Sequence, residues 1–253
     1  MYAFKKFIKD KINVIKYRGS NYECPICSFG VKQFLPFGRD LEVIKEKEII
    51  GAGRRNSRCP KCSSIDRERL IYLYLNEIFK NIDNISDLKL LHIAPEKRLM
   101  GYLSGINIKE YVCGDLFAEG YNYPSLVQRI DVTNIPFEKN YFDIIICNHV
   151  LEHVEEDTKA MKEIFRVLGK NGKAILQVPI SFKIEKTFED FKVTSPKERE
   201  ITFGQHDHVR IYGKDYVNRL ESCGFSVEIS KFSADHEYYG TDTLEPIFVA
   251  MKS

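Results

Sequence analysis

Two short runs of the same form, Cys24-Pro25-Ile26-Cys27 and Cys59-Pro60-Lys61-Cys62, carry the most specific chemistry in this sequence. Two residues between cysteines let both thiolates of a pair turn toward one point, and two such pairs close a tetrahedral metal site with no position left for a substrate. Proline after the first cysteine stiffens each turn. The expectation is a structural Zn2+ on Cys24, Cys27, Cys59 and Cys62, which can supply on the order of 10 kcal/mol of folding free energy to a segment with few core residues. The 31 residues between the pairs are long for a compact finger and leave room for a hairpin. Arg54, Arg55, Arg58 and Lys61 lie near the second pair, but acidic Asp40, Glu42, Glu46 and Glu48 share the segment and no row of aromatic residues accompanies them.

A second group of reactive side chains sits in Phe203-GQHDHVRIY-Gly213. His208 or His206 could remove a proton there, with Asp207 orienting a ring and Arg210 pairing with an anionic group such as a sugar phosphate or carboxylate. The competing reading makes Asp207, His208 and Arg210 a network that fastens the loop. His149 and His153, four residues apart, share a face and could equally position the loop after the fourth strand or do chemistry; a second metal site is not expected there without a nearby third ligand. Cys113, Cys147 and Cys223 are expected to pack as small apolar residues.

The elements that must position these groups follow from the apolar pattern. Strands are expected over 89–94, 110–114, 128–131, 141–148, 172–179, 225–230 and 246–252, with helices over 96–104, 156–168 and 214–223. Continuous apolar strands interleaved with helices predict a mostly parallel sheet covered on both faces, and the last two strands read as an antiparallel pair at one edge. Ahead of them, Leu70, Ile71, Leu73, Tyr74, Ile78 and Phe79 form one face of a helix over 66–80 that Ser63 or Ser64 could cap. In such a sheet a ligand lies beyond the carboxyl ends of the strands. Those ends carry His92-Ile-Ala94-Pro95-Glu96, then Asp115-Leu116, then Asp131-Val132, then Asn148. Asp115 can accept from two ribose hydroxyls, and Asp131 can take an adenine amino group while Val132 lies against the ring, so the two acids can hold the ends of one nucleoside.

The run from Ile135 to Ile180, with Phe142-Asp143 opening the fourth strand, His149-Val-Leu-Glu-His153 after it, a helix ending in Arg166-Val-Leu168 and a glycine turn into the fifth strand, resembles the central region of class I S-adenosylmethionine (SAM) dependent methyltransferases. That resemblance covers roughly Leu88 to the C-terminus. It implies a Rossmann-like α/β fold with a seven-stranded, mostly parallel sheet and an antiparallel C-terminal edge strand, and SAM over the first four strand ends. His92, Ala94, Pro95, Glu96, Asp115, Leu116, Asp131, Val132 and Asn148 are then the residues that would hold SAM. The family's first loop usually reads acidic-x-Gly-x-Gly; here Pro95 and Glu96 replace small residues. Pro95 at the first helical position would leave free amides for the methionine carboxylate, and Glu96 would meet the ammonium. The Leu91-His-Ile-Ala-Pro-Glu96 loop after a four-cysteine module is similar to a branch associated with sugar and cell-surface polysaccharide pathways. In the wider family, the segment holding His206 to Arg210 covers the acceptor.

Composition bounds the rest. The chain of 253 residues suits one large domain plus a small module: a basic N-terminal helix over 1–20, a four-cysteine zinc-ribbon-like module with its connecting helix over 21–82, and the methyltransferase domain over 83–253. Lys and Arg number 38 against 36 Asp and Glu, so the overall field is weak and weighs against a nucleic-acid partner. No uninterrupted apolar run suggests a signal peptide or a membrane span; Phe4, Phe7, Ile8, Ile12 and Ile15 fall near helical spacing and could give weak membrane-surface contact. Seven cysteines, an odd number with four in matched pairs, point to a reducing, cytoplasmic setting. The function expected is methyl transfer from SAM to a small molecule or sugar/glycan precursor, as O-methylation with a histidine base. The alternatives are a zinc-module RNA methyltransferase and a non-catalytic methyltransferase-like scaffold.

Overall fold

The computed structural model describes residues 10–117 and 123–253, which fall into two compact units. Within the described residues one unit takes the chain up to Arg39, Arg54–Ile82 and Lys231–Pro246; the other takes Asp40–Gly53, Asp83–Ser230 and Ile247–Ser253. The two thus meet along the chain at 82/83, but residues 40–53 and 231–246 each cross a linear division.

In the first unit, β1 (Arg18–Cys24) pairs antiparallel with β2 (Phe29–Val31), and β3 (Leu35–Phe37) with β4 (Arg55–Arg58). A cysteine pair occupies the turn after β1 and another the turn after β4. The residue following each pair, Ser28 and Ser63, takes a left-handed backbone with φ of 51° and 65°. Each donates its amide to the first cysteine's carbonyl, at 2.8 and 3.0 Å, so the two turns have one shape. The helix Asp66–Lys80 starts beyond the serines expected to cap it. Glu68 accepts from the Ile65 amide at 2.9 Å instead, and the Ser64 hydroxyl lies 3.3 Å from the Cys24 sulfur and 3.1 Å from the Cys62 sulfur. Leu70, Ile71, Leu75, Ile78 and Phe79 are this helix's buried apolar residues. Its Arg69 is fully buried, donates to the carbonyls of Ser64, Tyr239 and Gly240, and stacks 4.1 Å from the Phe34 ring centre, which ties segment 231–246 to this unit. Of the N-terminal segment expected to be helical over 1–20, the described residues 10–16 are helical and β1 begins at Arg18; Phe4, Phe7 and Ile8 lie outside the described residues.

The second unit holds β5 (Lys89–Ile93), β6 (Glu110–Asp115), β7 (Val127–Arg129), β8 (Phe142–Cys147), β9 (Leu168–Ile175), β12 (Ser226–Ser230) and β13 (Ile247–Met251), plus a small antiparallel pair, β10 (Phe188–Glu189) and β11 (Arg210–Ile211). The seven strands form one sheet in the order β12-β13-β9-β8-β5-β6-β7. β5 to β9 run parallel, and β13 is antiparallel to both β9 and β12. The antiparallel part lies at one side as expected, but the C-terminal strand is one in from the rim, because β13 inserts between β9 and β12. Leu91, Ile93, Ile145, Cys147, Ala174 and Phe248 help to form a core with the helix residues Ala160, Met161, Ile164 and Leu220. Cys113, Cys147 and Cys223 are buried. Strand order reverses at β5, with β6 and β7 on one side and β8 and β9 on the other, so the crevice for a ligand lies at the carboxyl ends of β5 and β8.

Candidate functional site

The loop leaving β5 performs with other residues what glycines usually do. Ala94 has φ of 48°, a left-handed conformation costly for a side chain with a Cβ, and its amide bonds the Gly114 carbonyl at 2.7 Å. Pro95 is not the first helical residue: Glu96 is the N-cap and the helix runs Lys97–Leu103. The unpaired first-turn amides therefore begin after Glu96 and not directly after Pro95, and the carboxylate of Glu96 faces the crevice residues. It contacts His92 Nε2 at 2.9 Å and accepts from Asn148 Nδ2 at 3.3 Å. His92 is fully buried, and its Nδ1 lies 2.9 Å from the Tyr111 hydroxyl. Burial pushes the Tyr111 phenol up, so it stays protonated and donates to Nδ1, leaving Nε2–H to donate to Glu96. Asn148, 4% exposed at the end of β8, has its Oδ1 without a hydrogen-bond partner among the described residues. A carboxylate and an unsatisfied amide oxygen thus converge at the switch point, a donor-poor pair suited to a cationic N–H group.

Along the neighbouring strand ends, Asp115 is partly exposed and one of its oxygens accepts from the Phe117 amide at 3.0 Å. Leu116 and Phe117 beside it are 56% and 41% exposed. Asp131 is exposed, with one oxygen accepting from the Thr133 amide and hydroxyl, each at 2.8 Å. Val132 does not lie open against a ring as expected: it is 7% exposed and belongs to the core. The exposed apolar surface at this edge comes from Leu116 and Phe117, and Phe117 went unnoticed in the sequence because a lone aromatic in a loop carries no spacing signal.

The acceptor segment divides into fastening and available groups. Arg210 corrects its expected role. It is 1% exposed, and its N–H groups bond Glu189 at 2.9 Å and the carbonyls of Leu151, Val154 and Glu155 at 2.7, 2.5 and 2.9 Å. Four of its N–H groups are thus engaged and the head is buried away from any substrate anion; it clamps the turn after β8 to β11. Asp207 does orient a ring, but the ring is that of His153, Nδ1 to Oδ2 at 3.3 Å. Burial works against both charges, yet this contact holds the Asp207 carboxyl below its usual range and the His153 imidazole above its own. His208 is 6% exposed, and burial lowers its pKa to about 4, so the ring is neutral. His206 is the open imidazole, with 53% of its side chain exposed and Nδ1 3.7 Å from Asp207. Glu152, 1% exposed, lies under these rings. Its burial favours the neutral acid, but His149, His153 and His208 bring its pKa down to about 2. Glu152 and His153 were the site residues given too little weight in the sequence; their only sign was adjacency just after the fourth strand.

The four cysteine sulfurs lie within 4.8 Å of one another, with Cys24 to Cys62 at 3.6 Å and Cys27 to Cys59 at 3.8 Å. Tetrahedral thiolates on a zinc ion stand about 3.8 Å apart for Zn–S bonds of about 2.3 Å, and a disulfide would need about 2.05 Å. The donor set and spacing therefore fit zinc. Of the basic residues near the second pair, Arg55 is ion-paired with buried Asp66.

Comparison with known proteins bears on the sheet unit. Residues 93–176 match the family described as a methyltransferase domain. A 65-residue stretch is 40% identical to uncharacterized protein MJ0638 of Methanocaldococcus jannaschii, covering 25% of this chain and 28% of that protein. The match thus spans little more than a quarter of that relative's length. Among solved structures, the citrinin polyketide synthase CMeT domain is similar at a TM-score of 0.50 and 14% identity, over 74% of this chain and 52% of that one. An S-adenosylmethionine dependent methyltransferase from Mesorhizobium loti is similar at a TM-score of 0.45 and 11% identity, over 72% of this chain and 96% of that one. The segment from the end of β5 through β9 thus carries the methyltransferase-domain pattern, on a sheet of the Rossmann-like methyltransferase kind. Among the described residues no helix is long and apolar enough to cross a membrane.

Proposed function

We propose that this chain is a SAM-dependent methyltransferase that methylates an oxygen of a small molecule or sugar/glycan precursor in the reducing setting of the cytoplasm, with a structural zinc on its four paired cysteines. The observation that carries the cofactor reading is the convergence of the Glu96 carboxylate and the unpartnered Asn148 Oδ1 at the point where strand order reverses. The methionine ammonium of SAM is the group that would satisfy both. Asp115 would take the ribose hydroxyls, with Leu116 and Phe117 against the base and Asp131 at its amino group. When bound, SAM supplies a methyl group on a sulfonium, an electrophile that needs an aligned nucleophile and little else.

The chain's own contribution is to bury the acceptor's reacting end against the turn after β8 and to remove its proton. His206, the exposed imidazole of the acceptor segment, is the residue placed here as proton acceptor, and His208 stays neutral beneath it. A pool of sugar phosphates and nucleotide sugars, incubated with methyl-labelled SAM and zinc-loaded protein, should yield labelled small molecules. Label appearing in RNA and not in the small-molecule fraction would support the other acceptor class, and none in either would remove the catalytic reading.

A further inference from the structure

We infer that Glu152, His153 and His208 form a second metal site, for a divalent transition-metal ion, under the acceptor segment. The ligand atoms of the three residues lie within 4.8 Å of one another. His153 Nε2 and His208 Nε2 are 3.8 and 3.9 Å from the same Glu152 oxygen, and the two rings meet edge to face with centroids 4.7 Å apart. An ion with bonds of about 2.1 Å holds its ligands about 3.0 Å apart in an octahedron and about 3.4 Å apart in a tetrahedron. Binding such an ion would draw each imidazole nitrogen toward Glu152 by about 0.4–0.9 Å from its present 3.8 or 3.9 Å.

The carboxylate of Glu152 is the observation that asks for an ion. It is 1% exposed, and neither oxygen accepts a well-formed hydrogen bond among the described residues; the imidazoles of His149, His153 and His208 stand 3.5, 3.8 and 3.9 Å from one of its oxygens. A buried carboxylate ringed by imidazole nitrogens that stop short of hydrogen-bond distance is a setting that a bound cation would complete. The surroundings also have the features of a ligand set. Asp207 at His153 Nδ1 fixes the proton on that nitrogen, which turns the Nε2 lone pair toward Glu152; a carboxylate behind a histidine is the usual second contact of a metal-bound ring. Gln205 donates to Asp207 at 2.9 Å, and Arg210 holds the carbonyls on either side of Glu152 and His153, so both ligand segments are rigid. Two imidazoles and one carboxylate suit Zn2+, Co2+ or Fe2+ better than Mg2+ or Ca2+, and three protein ligands leave coordination positions open.

This site needs no methyl transfer to exist. Resting on the methyltransferase reading, an acceptor hydroxyl at an open position would pass its proton to His206 and use its lone pair to bond the methyl carbon. The carbon–sulfur bond breaks as that carbon–oxygen bond forms, its electron pair staying on sulfur.

The test titrates Co2+ into protein carrying one equivalent of zinc, held at the four cysteines, in the absence of SAM, reading visible absorption and heat together. One equivalent should bind without the thiolate charge-transfer band that exchange at the cysteines would produce. His153→Gln and His208→Gln should each weaken it at least tenfold, and Asp207→Asn, at a side chain 42% exposed, about 10- to 100-fold. His206→Gln, on the same loop, should leave the affinity within twofold. The inference is overturned if no cobalt binds beyond the zinc already held, or if the affinity is the same in Asp207→Asn and wild type. Neither result depends on methyl transfer, which the labelled-SAM assay judges separately.

Discussion

Replacing Arg210 by Met separates a structural clamp from a substrate contact. The methionine keeps most of the stem's volume while removing every N–H, so the effect reports the bonds rather than a cavity. Wild type places the guanidinium, 1% exposed, on three backbone carbonyls and the Glu189 carboxylate. Hydrogen bonds to a charged group contribute about 1.5–3 kcal/mol each, and the desolvation of the arginine offsets part of their sum. Glu189 has 29% of its side chain exposed and can rehydrate, whereas the carbonyl of Leu151 belongs to a residue that is fully buried. The net loss expected is that of breaking a buried pair, about 3–5 kcal/mol. For a chain of this size that corresponds to roughly 10 °C in Tm. Urea unfolding should record it, and amide exchange should quicken selectively over 151–155. A loss below about 1 kcal/mol, accompanied by a raised KM for an anionic acceptor and unchanged kcat, would refute the clamp and restore the anion-pairing role.

Three further outcomes follow from the same geometry. Ala94→Gly should stabilise the chain by about 0.5–1 kcal/mol in denaturant titration, since glycine adopts φ of 48° without strain, while Ala94→Val should destabilise it by more. Removing zinc with a chelator, or replacing Cys27 by Ser, should abolish protection of β1 and β2 in hydrogen exchange, because the hydrophobic cluster there is small and a four-thiolate site supplies on the order of 10 kcal/mol. Val132→Ala should lower stability by about 1–2 kcal/mol through its core position and leave nucleoside affinity within twofold, measured by calorimetry.

Much of the architecture was readable because it depends on local composition. The apolar runs around Leu90, Val112, Ile145, Ala174 and Phe248 became sheet strands, and the matched Cys-Pro-x-Cys turns came together because each pair's geometry is set within a few residues. What stayed hidden depends on tertiary pairing. The place of β13 inside the sheet rather than at its rim is a choice between partners that its own sequence does not express. Arg210 and His208 have the residue types of a reactive site, but burial decides their roles, and burial of a charged side chain in a loop has no periodic signature. Asp207 has the side chain to orient an imidazole, but the ring it meets lies more than fifty positions away at His153, a partner the sequence does not reveal. The boundary of the cysteine module was blurred for a similar reason: Ile44 and Ile49, lying between the cysteine pairs, join Phe203 and Ile211 in a cluster of the sheet unit.

The central claim is that the glycine-poor loop after β5 receives SAM through Glu96 and Asn148. Calorimetric titration of S-adenosylhomocysteine into zinc-loaded protein tests it most directly. One equivalent should bind, with Glu96→Gln and Asp115→Ala each weakening it at least tenfold, about 1.4 kcal/mol or more. No binding by the wild type, or binding that both substitutions leave unchanged, would contradict the account.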